Sequence, residues 1–215
     1  YRHGELQAHS SGPYKEWCPP LREESYVIGV DVAEGLNYGD YSVAIVLDSL
    51  GRQVACWHGH IDPFAWGDVI SSLGQRFNNA YVIVERNNHG LTTLRRLQET
   101  NYPNMFIESS VDGAYGDKLT KRGGFLTTSK TKPLIIDNMA ALLRQEESGI
   151  ADIELVNELR TYVIDEKGSF NSQQGCYDDR VMAFAIALHG LASMPRTRAP
   201  IIQRRYTSVD QVAGY

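Results

Sequence analysis

The run "AYVIVE", Ala80–Glu85, is apolar until its last residue. A strand with one face in water alternates apolar and polar side chains, so an unbroken apolar run implies a strand covered on both faces. The stretch "SYVIGVDVAEG" holds a β-branched strand, about Tyr26–Val32, closing on acidic and glycine residues. A strand covered on both faces calls for helical layers on either side of a sheet.

The remaining punctuation fits that architecture. "DYSVAIVLDSLGRQVACWHGH" reads as antiparallel strands Ser42–Leu47 and Gln53–Gly59, joined by a turn at Ser49, Leu50 and Gly51. Asp62 and Pro63 open a helix as cap and first residue, with Phe64, Val69, Ile70, Leu73 and Phe77 as its apolar positions. Leu91, Leu94 and Leu97 keep helical spacing, and "MFIES" reads as a short fifth strand. A glycine- and lysine-containing loop is expected over Asp112–Gly124, then helices near Lys132–Gln145 and Ile153–Arg160, and a last one in "CYDDRVMAFAIALHG". The expected class is α/β: a mixed sheet, with a three-stranded antiparallel meander plus parallel strands and helices on both faces.

With 215 residues, 42% apolar and 22% charged, the chain suits one domain. Residues 26–193 carry the pattern, 1–25 read as a linker or extended arm, and 194–215 as a basic, poorly patterned tail. No run approaches the roughly 20 residues of a membrane span. The first residue is Tyr, which predicts a piece of a longer protein. Cys18, Cys56 and Cys176 lie far apart without a CxxC pair, which fits a reducing cytosol rather than a disulfide scaffold. A net charge of −5 means that a polyanion partner would need local basic patches or metal ions.

Acidic residues then define a candidate centre. Asp31 lies inside an apolar strand, where Asp is disfavoured. Glu85 ends another strand, and Asp178 and Asp179 open the last helix. The adjacent pair has a local reading, because Asp caps helices and acids favour a first turn. If the first and fourth strands are neighbours, however, Asp31 and Glu85 share one edge and the last helix brings Asp179 over them. Converging carboxylates repel and resist ionisation on burial, and divalent cations remove that cost. Carboxylate oxygens are the hard donors that Mg²⁺ and Mn²⁺ prefer, and two ions about 3.5–4 Å apart clamp a phosphodiester. Glu34 and Asp40 near the same edge read as turn or supporting residues.

Strand-Asp, hairpin, strand-Glu and helix-Asp in that order resemble the ribonuclease H-like superfamily. "GVDVAEGLNYGDYSVAIVLD", "VIVERNNHG" and "GCYDDRVMAFAIAL" together resemble the nuclease domain of the large terminase subunit of tailed bacteriophages, over about residues 26–190. The resemblance implies a two-metal endonuclease that cuts concatemeric double-stranded viral DNA during packaging in the host cytoplasm. It implies Asp31, Glu85 and one or both of Asp178 and Asp179 as catalytic metal ligands, with Asp179 the principal one of the pair. It further implies Mg²⁺ or Mn²⁺, an N-terminal P-loop ATPase domain of the same chain, and the portal protein and small terminase subunit as partners. "GAYGDKLT", Gly113–Thr120, lacks Walker spacing.

Lys118, Lys121 and Arg122 are candidate phosphate contacts, as are Lys130 and Lys132 in "TTSKTKP"; a solvated surface explains them equally well. His89 reads as a turn residue that could also assist a base or bind DNA. Met182, Phe184, Ile186 and Leu188 read as packing, and Tyr14 and Trp17 as surface packing. Competing readings are a Holliday-junction resolvase or integrase-like nuclease of the same fold, an actin-like sugar kinase or chaperone ATPase, and a non-catalytic docking module of a packaging motor.

Overall fold

The computed structural model describes residues 12–36, 39–112, 118–164 and 170–194. The apolar runs form a five-stranded mixed sheet in the order β1-β4-β3-β2-β5. Strands β2 (Tyr26–Asp31), β3 (Ser42–Asp48) and β4 (Gln53–Gly59) make the expected antiparallel meander. Asp31 lies opposite Val43, and Ser42 lies opposite Gly59. The turn at 49–51 closes on Gly51, whose φ of 75° is open to glycine at no steric cost. On the other edge β5 (Tyr81–Val84) runs parallel to β2, from Val27↔Tyr81 to Val30↔Val84.

Every residue of β3 and β5 is buried, because both faces carry helices. One face (Ile28, Val30, Ala44, Val46, Val82, Val84) packs on α1 (Pro63–Arg76) and α2 (Gly90–Glu99) through Trp66, Ile70, Leu94 and Leu97. Asp62 caps α1 as read, accepting from the N–H groups of Phe64 at 2.9 Å and Ala65 at 3.1 Å. The opposite face (Val27, Val43, Ile45, Leu47, Ile83) packs on α5 (Asp179–Ser193). Ile135, Ile136 and Met139 of α3 (Thr131–Arg144) and Leu155 of α4 (Ile153–Thr161) close over α5. The central helix is therefore buried on nearly all sides from Val181 to Leu188.

Glycines set how close α5 lies. A Cβ on Gly29 of β2 would fall 2.2 Å from the Ala183 carbonyl oxygen and 2.4 Å from the Ala187 nitrogen. Gly190 sits equally tightly over the Ile83 side chain, where a Cβ would fall 1.7 Å from its Cδ1. Helix and strand backbones touch where neither carries bulk.

Two expectations are corrected, and two short strands are added. "MFIES" is not a fifth strand of the main sheet: Met105 makes only an isolated parallel bridge with Val82. The chain then turns outward as β6 (Ile107–Asp112), pairing antiparallel with β7 (Lys118–Gly123) in a separate two-stranded ribbon. Ile107 is 54% exposed there. Most of the expected Asp112–Gly124 loop is thus strand; its polar alternation suits a ribbon that faces solvent. Finally, the N-terminal arm supplies β1 (Tyr14–Glu16), paired with β4 and tied to α1 by the ion pair of Glu16 with Arg76 at 2.7 Å. A second small ribbon, β8 (Tyr162–Ile164) with β9 (Phe170–Ser172), was not anticipated either. Most of the proposed tail lies outside the described residues. Among the described residues no helix is long and apolar enough to cross a membrane.

Because the atoms crowding Gly29 are backbone, Gly29→Ala must displace α5 or distort β2. It should cost about 2–3 kcal/mol in urea unfolding, the scale of overpacking a core. Gly39→Ala, where the nearest atom to a new Cβ is 3.7 Å away, should stay within about 0.5 kcal/mol of wild type. Equal midpoints for both variants would disprove the close helix–strand contact.

Candidate functional site

The alternation of a strand places Val27, Gly29 and Asp31 on one face of β2, the face that meets α5. Parallel pairing sets Val84 beside Val30, and the Glu85 N–H donates to the Val30 carbonyl at 2.8 Å, so Glu85 follows beside Asp31. On α5 the residues over Gly29 are Ala183 and Ala187; one further turn toward the N-terminus on that stripe is Asp179. The three acids are therefore brought together by two strand ends and one helix start. Asp31 and Glu85 are hydrogen-bonded to each other, and Asp179 adds its charge to theirs.

Each acid is held by specific partners. Asp31 Oδ1 accepts the Val32 N–H at 2.8 Å. Glu85 Oε2 accepts from Asn87 Nδ2 at 3.1 Å; the same amide nitrogen reaches the Val32 carbonyl at 3.0 Å, and Asn87 Oδ1 accepts the Gly90 N–H at 2.7 Å. One side chain thus ties the ends of both parallel strands to the start of α2. A Cβ on Gly90 would fall 1.8 Å from the Glu85 carbonyl oxygen, so this turn requires glycine. Asp179 is 7% exposed, and its Oδ2 accepts the Tyr41 N–H at 3.4 Å. The Tyr41 ring is stacked against both His58 and His60, with centroids at 4.2 and 4.1 Å. Burial pushes His58 down to about 4, so that ring stays neutral in the stack.

The electrostatics separate these acids from their neighbours. Asp152, Asp178 and Glu158 each have a cationic partner: Lys15 and Arg180, Lys132, and Arg180 respectively. Among the described residues Asp31, Glu85 and Asp179 have no such ion pair. Burial, the charge of Glu85 with its hydrogen bond, and the charge of Asp179 together raise Asp31 well above the usual carboxylate range. Asp179 is pushed up to about 7, by burial first and by the charges of Asp40, Glu158 and Asp178, against the Tyr41 N–H bond.

Asp178 stands at the N-cap of α5, yet its side chain makes no capping bond and meets Lys132 Nζ at 3.5 Å. The simple capping explanation of the pair therefore fails for Asp178. Lys132 is brought to the rim of the cluster; Lys130 stands at the N-cap position of α3 and is exposed. Lys121 and Arg122 are exposed on β7, whose end leads into Phe125, bridged to Glu85. They make no contact with the acids, and Lys118 is described only as the first residue of that strand. His89 approaches Glu34 at 3.4 Å. Asn87 and Glu158 carry no signal of these roles in the sequence: one stands in a polar turn and the other inside an ordinary helix. A residue that works by reaching across the fold leaves no spacing signal.

Among the described residues no group of three or more His, Cys, Asp and Glu is already arranged around a point that an ion could take. The hydrogen bond between Asp31 and Glu85 must open before both can ligate. The donor chemistry does fit a hard divalent cation: carboxylate oxygens in excess of positive charge, at one end of a sheet.

The sequence matches no protein-family model, and no curated protein matches it. The structure does find relatives in fold. The large terminase nuclease of thermophilic phage G20c with bound magnesium superposes with a TM-score of 0.66 at 20% identity, over 86% of this chain and 90% of that one. The same nuclease with bound cobalt gives 0.65 at 20% identity, over 86% and 90%. The large terminase nuclease domain of Thermus phage P74-26 gives 0.62 at 20% identity, over 85% and 87%. The chain therefore has the ribonuclease H-like fold of terminase nucleases, as the sequence motifs imply.

The raised Asp179 has a consequence for stability. An ordinary Asp titrates near 3.9 when unfolded. A folded value of about 7 means that the native state holds the proton more tightly. The contribution to stability is complete below about pH 4 and is lost as pH rises through about 7. In metal-free buffer, Asp179→Asn should gain on wild type by roughly 2–4 kcal/mol between pH 4 and pH 8. Denaturant midpoints measure it, and a pH-independent difference would remove the assignment.

Proposed function

We propose that this chain is a divalent-metal-dependent endonuclease domain of the large-terminase type, which cleaves concatemeric double-stranded viral DNA during genome packaging. The observation that carries the reading is the triad Asp31, Glu85 and Asp179, whose charge no cation of the described residues offsets. The site stands where β2 and β5, the parallel pair, end, the usual location of ligand chemistry in such sheets. Likeness in fold to terminase nucleases, some with bound magnesium, cobalt or zinc, supports it.

Two Mg²⁺ or Mn²⁺ ions would be held by Asp31, Glu85 and Asp179, and when bound would activate water and stabilise the leaving oxygen of a phosphodiester. Asp31, between the other two acids, is the candidate bridging ligand. Asn87 fixes which Glu85 oxygen faces the strand ends, and the Tyr41 N–H holds one oxygen of Asp179. Asp178, masked by Lys132, is the second ligand or a water-orienting residue once Lys132 turns to a phosphate. Lys118, Lys121, Arg122, Lys130 and Lys132 would supply the positive surface that the net charge of −5 withholds. A P-loop ATPase domain, the portal protein and the small terminase subunit are the expected partners, in the host cytoplasm.

Linear and four-way-junction DNA incubated with Mg²⁺, Mn²⁺ or EDTA tests the reading, with cleavage expected only with metal. Strong preference for the junction would place the chain with resolvases instead. Asp31→Asn keeps the hydrogen bond to Glu85 while removing a charge, so it should lower cleavage at least about 100-fold while leaving the metal-free protein as stable as wild type or more so. Retained cutting by the folded variant would refute the site.

The ribbon should govern affinity rather than chemistry. Replacing Lys121 and Arg122 together with Ala should reduce the salt slope of DNA binding by up to about 2, since each phosphate contact releases about 0.9 of a counterion. An unchanged slope would show that β7 does not meet the phosphates.

A further inference from the structure

We propose that Glu158 is a positioning residue for the acid cluster: from α4 it caps α5 in place of the helix's own N-cap side chain, and so fixes where Asp179 stands. The catalytic consequence rests on the nuclease reading above; the cap does not.

The first N–H groups of a helix have no partner within it. Asp178 occupies the N-cap, with φ −134° and ψ 12°, but its carboxylate offers those groups nothing. Glu158 reaches across from α4 instead. Its Oε2 accepts the Arg180 N–H at 2.9 Å, its Oε1 accepts from Arg180 Nη1 at 2.5 Å, and the Val181 N–H also faces it. Arg180 Nε lies 3.4 Å from Asp152 Oδ2, and Asp152 in turn caps α4 through the Glu154 N–H at 3.3 Å. Both acids are buried, at 8% and 2% exposure, so Arg180 joins α4 to the start of α5 through two buried carboxylates. Opening that link would strand a buried charge.

The placement matters because Asp179 immediately precedes Arg180. Uncapped first turns fray, and a frayed turn would release Asp179 from the Tyr41 N–H and from its station over Asp31. A cap supplied by Asp178 would aim that carboxylate back at the helix amides. A cap supplied from α4 leaves Asp178 to Lys132 and Asp179 to the Tyr41 N–H beside Asp31, so two acids in succession can serve at this helix start without either being spent on its amides.

The test uses the whole chain with Glu158→Ala and Glu158→Gln. Gln keeps an oxygen for the backbone N–H groups but cannot neutralise Arg180. Three quantities are read: amide hydrogen exchange over 179–183 without metal, Mn²⁺ affinity by calorimetry, and kcat and KM for DNA. Glu158→Ala should speed exchange at the Arg180 amide at least about 10-fold and weaken Mn²⁺ about 10-fold, the scale for partners that orient metal ligands. Its kcat should fall while KM for DNA stays within about twofold. Glu158→Gln should recover most of the amide protection and metal affinity. Unchanged exchange and Mn²⁺ affinity in a folded Glu158→Ala would overturn the proposal. So would a Gln variant as impaired as Ala, since that would make the contact an ion pair and nothing more. If Glu158→Ala does not fold, the Gln variant decides on the same readouts. Wild type that neither binds Mn²⁺ nor cuts DNA would end the nuclease reading, while amide exchange would still decide the cap.

Discussion

The contact between the bare backbone of Gly29 and the Ala183–Ala187 stretch of α5 fixes the rest of the molecule. Any side chain at Gly29 would hold the helix away from the sheet. With none there, α5 settles into the layer formed by Val27, Ile45 and Ile83, and its rotation about its own axis is set. Steps of four residues then carry the stripe from Ala187 through Ala183 to Asp179, while a step of two along β2 leads from Gly29 to Asp31. Parallel pairing of β5 with β2 adds Glu85 without further provision. The acid cluster is a geometric consequence of close packing one helical turn away.

That placement is costly, and the fold treats its acids unequally. Asp152 and Glu158 are deeply buried yet have Arg180 between them, and Asp178 has Lys132. Asp31, Glu85 and Asp179 have no such partner among the described residues, and Asp31 and Asp179 are pushed upward by burial. A chain selected only for stability would not keep three facing carboxylates when one Asn or one Lys would relieve them. The sacrifice is local: beside it Asn87 makes three hydrogen bonds that tie both parallel strand ends to the start of α2.

Much of this was legible in the sequence, for identifiable reasons. The meander and β5 announce themselves by apolar runs of strand length, and α1 by its Asp62–Pro63 start, because these signals are local and strong. The acids stood out because Asp31 interrupts an apolar strand. The choice between Asp178 and Asp179 was not legible from periodicity. A helix buried on nearly all sides has no polar face to reveal its rotation, and its partner residue, Gly29, lies 150 positions away in sequence. The β6–β7 ribbon was hidden by its polar composition, and β1 by being three residues long and dependent on β4 and Arg76. Glu158 was hidden for the reason that hides any cap supplied from another helix: its function exists only once the two helices are packed.

The cluster also couples its two states to solvent conditions. Without cations, burial and the facing Glu85 push Asp31 well above the usual carboxylate range, toward its protonated form, and burial pushes Asp179 up to about 7. On the proposed reading, a divalent ion must displace those protons, so binding releases them and affinity rises with pH. Asp179 is opposed by burial and by more distant charges and is assisted by the Tyr41 N–H, whereas Asp31 faces burial and a hydrogen-bonded carboxylate at once. The helix that delivers Asp179 is the element whose start Glu158 meets from α4, so on the proposed reading the placement of that ligand and its release of a proton are set by different contacts.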